Sequence, residues 1–99
     1  MRTLLIVTFP NEPFNTLVRD GTAGKKMGQV LGALKPEAAY FTELDGQRTG
    51  IFVVDLKNPA QIPATVEPFF LQFNAQCQLR VAMTAQDLQK SQLDTIGKR

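Results

Sequence analysis

The chain has no histidine, one cysteine and one serine among its 99 residues. Without histidine, and with Cys77 alone, zinc, copper and iron lack their usual ligands. Ser91 has no imidazole to activate it as a nucleophile. A lone cysteine cannot form an internal disulfide, so a reducing compartment is the default setting. No apolar stretch approaches the ~20 residues that would span a bilayer. The opening run MRTLLIVTFPNEP is broken by Thr8 and Pro10 and lacks a small-residue cleavage site, so it reads as a first strand and not a signal peptide. A soluble, cytoplasmic protein is expected, without a membrane or nucleic acid as partner.

Charge of one sign is equally scarce. The net charge is +2, and acidic and basic residues alternate along the chain. Lys98-Arg99 is the one basic pair at a terminus, a solvated tail rather than a nucleic-acid arm. Apolar residues make up 43% and charged residues 20%, which fits one folded domain over residues 1–99 and excludes disorder. There are no repeats, linkers or low-complexity segments.

What is present reads as alternating strands and helices. Thr3 to Phe9 is a β-rich run ended by Pro10. Phe14, Leu17 and Val18 form one helical stripe, and Met27, Val30, Leu31 and Leu34 a second. The stripes do not line up at 100° per residue. This predicts helices over 12–20 and 23–34 with a break near Gly21–Gly24, the first capped by Asn11 or Asn15. Ala38–Leu44 and Gly50–Leu56 form a hairpin around Asp45-Gly46. Asn58-Pro59 opens a helical segment to Asn74, with Pro63 and Pro68 splitting it into a short turn and a main helix. Cys77–Met83 is a fourth strand. Thr84 with Asp87 resembles a capping box opening a helix over 85–96. The expected fold is α+β, a ferredoxin-like βαββαβ unit with antiparallel sheet order 4-1-3-2 and a C-terminal helix.

Helices cover one face of such a sheet, so the other face of a solitary domain should be polar. The central strands break that rule. Strand one sets Leu4, Ile6 and Thr8 on one face and Leu5, Val7 and Phe9 on the other. Strand three sets Phe52, Val54 and Leu56 against Ile51, Val53 and Asp55. An uncovered apolar face marks an interaction surface, and its simplest partner is a second copy packed across a two-fold axis.

The order of elements, the doubly apolar centre and the tail RVAMTAQDL resemble the dimeric α/β-barrel superfamily of small ferredoxin-like proteins. That group includes muconolactone isomerases and cofactor-free monooxygenases. The resemblance spans nearly the whole chain and implies a homodimer with no cofactor. It carries no catalytic motif: members that rely on a His–Asp pair have no counterpart here.

Other motifs dissolve on inspection. RTGIFVVD invites comparison with the third strand of an RNA-recognition domain, but only Phe52 fills an aromatic position there; Gly50 and Asp55 hold the others. DGTAGKKMGQVLG has only Thr22 and Ala23 between Gly21 and Gly24, where a phosphate loop needs four residues, and Lys26 stands where it needs Ser or Thr. Gly24, Gly28 and Gly32 instead recur every four residues, as in a smooth helical groove. Glu43 and Asp45 beside a turn are ordinary solvated carboxylates, and Cys77 has an apolar setting that makes it inert.

One constellation remains. Thr8, Arg80 and Thr42 are expected near one line across the helix-free face, with Tyr40 two residues along. They could line a pocket for an anionic or phenolic ligand, with Arg80 pairing a carboxylate. The competing expectation gives Arg80 a structural acid, Asp55 or Glu43. The functional expectation is a homodimer binding a small anionic or aromatic molecule in a pocket beside the sheet, with a non-catalytic interaction module as the alternative.

Overall fold

Asp45 and Gly46 both take positive φ, 54° and 77°. That is the conformation a two-residue hairpin turn demands, and it suits Asp-Gly. The turn joins β2 (Ala38–Leu44) to β3 (Gln47–Asp55), with Leu44 directly opposite Gln47. β1 (Arg2–Phe9) pairs antiparallel with β3 on one side and with β4 (Gln76–Val81) on the other. The sheet order is β2-β3-β1-β4, which counted from the opposite edge is β4-β1-β3-β2. β1 and β3 are therefore central, as expected. The computed structural model describes every residue from Met1 to Arg99.

The fold is α+β: three helices pack on one face of this antiparallel sheet, α1 (Asn11–Arg19), α2 (Ala23–Leu34) and α3 (Ile62–Phe73). Their apolar stripes meet the odd residues of β1. Leu17, Val30, Val66, Phe69 and Phe73 cover Leu5, Val7, Phe9, Phe52 and Val54 in one buried cluster. The break between α1 and α2 falls where the two stripes change phase, with Gly21 at φ 77°. No helix of the structure is long and apolar enough to cross a membrane.

Several details differ from the sequence expectation. β3 starts at Gln47, not Gly50, because the tight turn lets pairing begin at once. Asn11 and Asn15 do not cap α1; Pro10 stands at its N-cap without a side-chain hydrogen bond. A short 3-10 turn, Pro59–Gln61, precedes α3, capped by the Asn58 side chain. Pro63 sits in the first turn of α3, where its missing N–H costs nothing, and Pro68 lies inside without splitting the helix. The capping box of Thr84 and Asp87 is present, yet the terminal helix is two pieces, α4 (Ala85–Lys90) and α5 (Leu93–Gly97). Gln92 takes the left-handed conformation between them. The glycine stripe of α2 faces outward: nothing lies within 4 Å of where a Cβ would stand at Gly24, Gly28 or Gly32.

Gly50 has a definite steric role. A Cβ there would stand 2.5 Å from Cζ and 2.8 Å from Cε2 of Phe52. That ring is fully buried and stacks on Phe69 with centroids 5.5 Å apart, so it has little room to withdraw. Gly50→Val is expected to destabilise the fold by about 1–3 kcal/mol, as overpacked cores do. Urea unfolding checks this, and an unchanged midpoint contradicts it.

The opposite face has no such cover. Leu4, Ile6, Ile51 and Val53 are only half-buried there, and Tyr40 is 66% exposed.

Candidate functional site

The strongest site lies at the end of the sheet where β1 gives way to α1, on the helix-covered side. The hairpin register puts Glu43 opposite Arg48, and the β1–β3 register puts Arg48 opposite Phe9. Pro10 is extended and so is Glu12 (φ −113°, ψ 139°), so the regular helix of α1 begins only after Glu12 and carries Phe14 and Asn15 back over the strand end. Phe9 then packs edge-to-face on Phe14 and Phe73, both with centroids 5.3 Å away. The guanidinium of Arg48 lies over the Phe14 ring, 4.7 Å from its centroid, and Nη1 donates to Asn15 Oδ1 at 2.8 Å.

These residues wall a cavity of about 400 Å³, together with Ala23, Gly24 and Met27 of α2 and Phe41 of β2. That volume suits a small ligand. Its interior is aromatic and aliphatic, and its one charged wall is Arg48. Arg48 makes no ion pair: the carboxylates that do pair are Glu12, Glu37 and Asp55, with Arg19, Arg2, Lys57 and the Met1 amine. Glu12 lies close enough to feel Arg48 but is engaged elsewhere. The Thr16 hydroxyl and then its N–H hold the Glu12 carboxyl below its ordinary range, with Arg19 and Arg48 adding attraction. Glu43, across the hairpin, accepts from the Gly46 N–H at 2.9 Å instead. Arg48 is thus held in place by a neutral amide and an aromatic face, with donors to spare.

α2 adds to the same end. Thr22 at its N-cap gives its hydroxyl to Asp20 rather than capping the helix. The first N–H groups of α2 are therefore free, and Ala23 and Gly24 line the cavity. No carboxylate, imidazole, thiol or amine side chain lines it. The arrangement sets one guanidinium against an apolar, aromatic wall, and the hydroxyl-bearing side chains of the lining, Thr42 and Thr49, have no general base among the lining residues.

The expected constellation is only partly brought together. Thr8, Thr49 and Thr42 do share one row across the helix-free face. Tyr40 lies on the next row, opposite Ile51. Arg80 does not join them: Gln76 stands opposite Thr8, and Arg80 stands opposite Leu4. The cause is the short C-cap of α3 at Asn74, which drops the chain straight into β4 at Gln76. Arg80 is thereby four residues from the threonine row, roughly 13 Å at strand rise. It finds neither acid proposed for it, since Asp55 is bound by Lys57 and the Met1 amine. These contacts, the Lys57 hydrogen bond first, lower the Asp55 carboxyl to about 2. Of the four residues, Thr42 also lines the Arg48 cavity and Thr8 lines a smaller polar recess with Gln76.

Arg48, Phe9, Phe14 and Met27 were not singled out as site residues by the sequence. The signal that could have found them was the Asp-Gly turn, which fixes the hairpin register and with it the face of Arg48. Cys77 is half-buried opposite Val7, and burial pushes its thiol up to about 11, so it is a packing residue. Ser91 donates to the carbonyl of Leu88 within the terminal segment. No family model, curated protein or solved structure gives a match to this chain.

Proposed function

We propose that this chain is a homodimeric binding protein for small carboxylates with an aromatic or aliphatic body, held in the cavity beside the sheet. One observation carries the reading: Arg48 is fixed at an apolar, aromatic cavity with no carboxylate of its own. A guanidinium offers a planar fork that matches a carboxylate, and the free N–H groups of α2 favour the same charge. The aromatic walls take the ligand's apolar part. This site replaces Arg80 as the anchor while keeping the ligand class expected from sequence.

The finer fold assignment belongs to the same proposal. The adjacencies β2 to β3, β3 to β1 and β1 to β4, all antiparallel with helices on one side, support a ferredoxin-like unit. The half-buried Leu4, Ile6, Ile51 and Val53 on the helix-free side support pairing of two such sheets as a dimeric α/β barrel. The free thiol of Cys77 supports a reducing, cytoplasmic setting. The alternative, a non-catalytic interaction module, draws on that same apolar sheet face.

A thermal-shift screen with benzoate, phenylacetate and hexanoate tests the binding claim. A ligand that binds only the folded state raises the melting temperature by mass action. The rise is expected for the wild type and lost in Arg48→Gln, while Arg80→Gln keeps it. A rise that survives Arg48→Gln, or no rise with any carboxylate, contradicts the proposal.

A further inference from the structure

We propose that the C-terminal arm, Met83 to Arg99, is an exchange element that packs on a second copy of the chain. This rests on the two-fold pairing proposed above and names the segment that completes it.

Ala82 makes the last hydrogen bond to the sheet, from its N–H to the Arg2 carbonyl at 3.0 Å. Beyond it, every hydrogen bond is local to the arm. Neither α4 nor α5 contains a buried residue, and Leu88, Leu93 and Ile96 are 42, 58 and 45% exposed. The capping box specifies where α4 begins, so the arm is built to be helical. Helices shorter than ~12–15 residues do not hold in water by themselves. A specified short helix with apolar side chains needs a surface, and its own domain does not provide one.

The shape of the chain leads to the same place. Its radius of gyration is 16.4 Å and its extents are 58 × 29 × 18 Å, whereas a compact chain of this length has a radius of about 13 Å. It exposes 6910 Å². A compact monomer of its mass exposes roughly 5,600 Å². The excess, about 1,300 Å², exceeds the roughly 800 Å² per partner that a stable interface buries.

Charge narrows the occupant. Asp87 and Asp94 nearly balance Lys90, Lys98 and Arg99, so the arm has no basic face for nucleic acid or an anionic membrane. A second copy fits instead. In the proposed pair the two central sheet faces cover each other, and the arm springs from β4, an edge strand, beside that seam. Under a two-fold axis each copy gives an arm and receives one, the inexpensive route to a dimer.

The test mixes copies labelled with carbon-13 at leucine and isoleucine methyls with unlabelled copies and records isotope-filtered NOEs. Leu88, Leu93 and Ile96 are expected to show cross-peaks to the unlabelled copy. In parallel, light scattering over a dilution series compares the wild type with Leu88→Ser/Leu93→Ser/Ile96→Ser, which leaves the core untouched. The triple variant is expected to dissociate at a concentration at least about tenfold higher. A dimeric wild type with only intramolecular NOEs, and a variant that dissociates like it, overturns the arm's role and leaves the pairing intact. A wild type that is monomeric throughout overturns both. Arm methyls that respond only to anionic vesicles give the arm to a membrane and overturn the proposal as well.

Discussion

Phe69→Ala is expected to lower the unfolding free energy by about 3–5 kcal/mol, the range for deleting a buried aromatic ring. Phe69 is fully buried and ties the sheet to α3. Its ring stacks on Phe52 at 5.5 Å and meets Phe9 edge-on at 6.2 Å. Removing it opens a cavity between β1, β3 and α3 that no neighbour can fill without leaving its own packing. Domains of this size are stable by only roughly 5–15 kcal/mol, so the variant should lose a large share of that margin. Urea unfolding followed by circular dichroism measures the change. A loss under about 1 kcal/mol would mean that the ring does not anchor the helix layer.

Ile51→Lys is expected to convert a dimer into a monomer at micromolar concentration. Ile51 sits on the middle row of the helix-free face, between Tyr40 on β2 and Ile6 on β1. In one chain it is half-buried, so a lysine there can reach water by extending its stem. Between two packed sheets it cannot, and an unpaired ammonium in an apolar interface costs several kcal/mol. The variant should therefore stay folded while it dissociates. Light scattering on both proteins decides the matter, and a wild type already monomeric contradicts the pairing.

The elements were largely legible in the sequence, because hydrophobic period and stop signals act locally. Pro10, the phase change near Gly21, Asp45-Gly46, Asn58-Pro59 and Thr84 each mark a boundary through the chemistry of one or two residues. The alternation of β1 and β3 likewise gave the two apolar faces. Register was harder, since it depends on how many residues a connection consumes. The two-residue turn pairs Leu44 with Gln47 and so makes Arg48 a strand residue on the helix side. The left-handed cap at Asn74 starts β4 opposite Thr8 with Gln76 and carries Arg80 away from the threonines. The row expected across the helix-free face thus holds Thr8 and Thr42, with Arg80 four residues further along β4. Gly50 shows the same limit. Its period-two position says which face it occupies, but only the Phe52 ring lying against it says why a side chain is excluded.

The most direct measurement of the binding claim is a titration of phenylacetate into labelled protein, followed by two-dimensional NMR. The account predicts saturable shifts at the Met27 methyl, the Gly24 amide and the Arg48 side chain, with Arg48→Gln abolishing them. Shifts confined to Tyr40 and Arg80 on the helix-free face, or no saturable shifts anywhere, would contradict it.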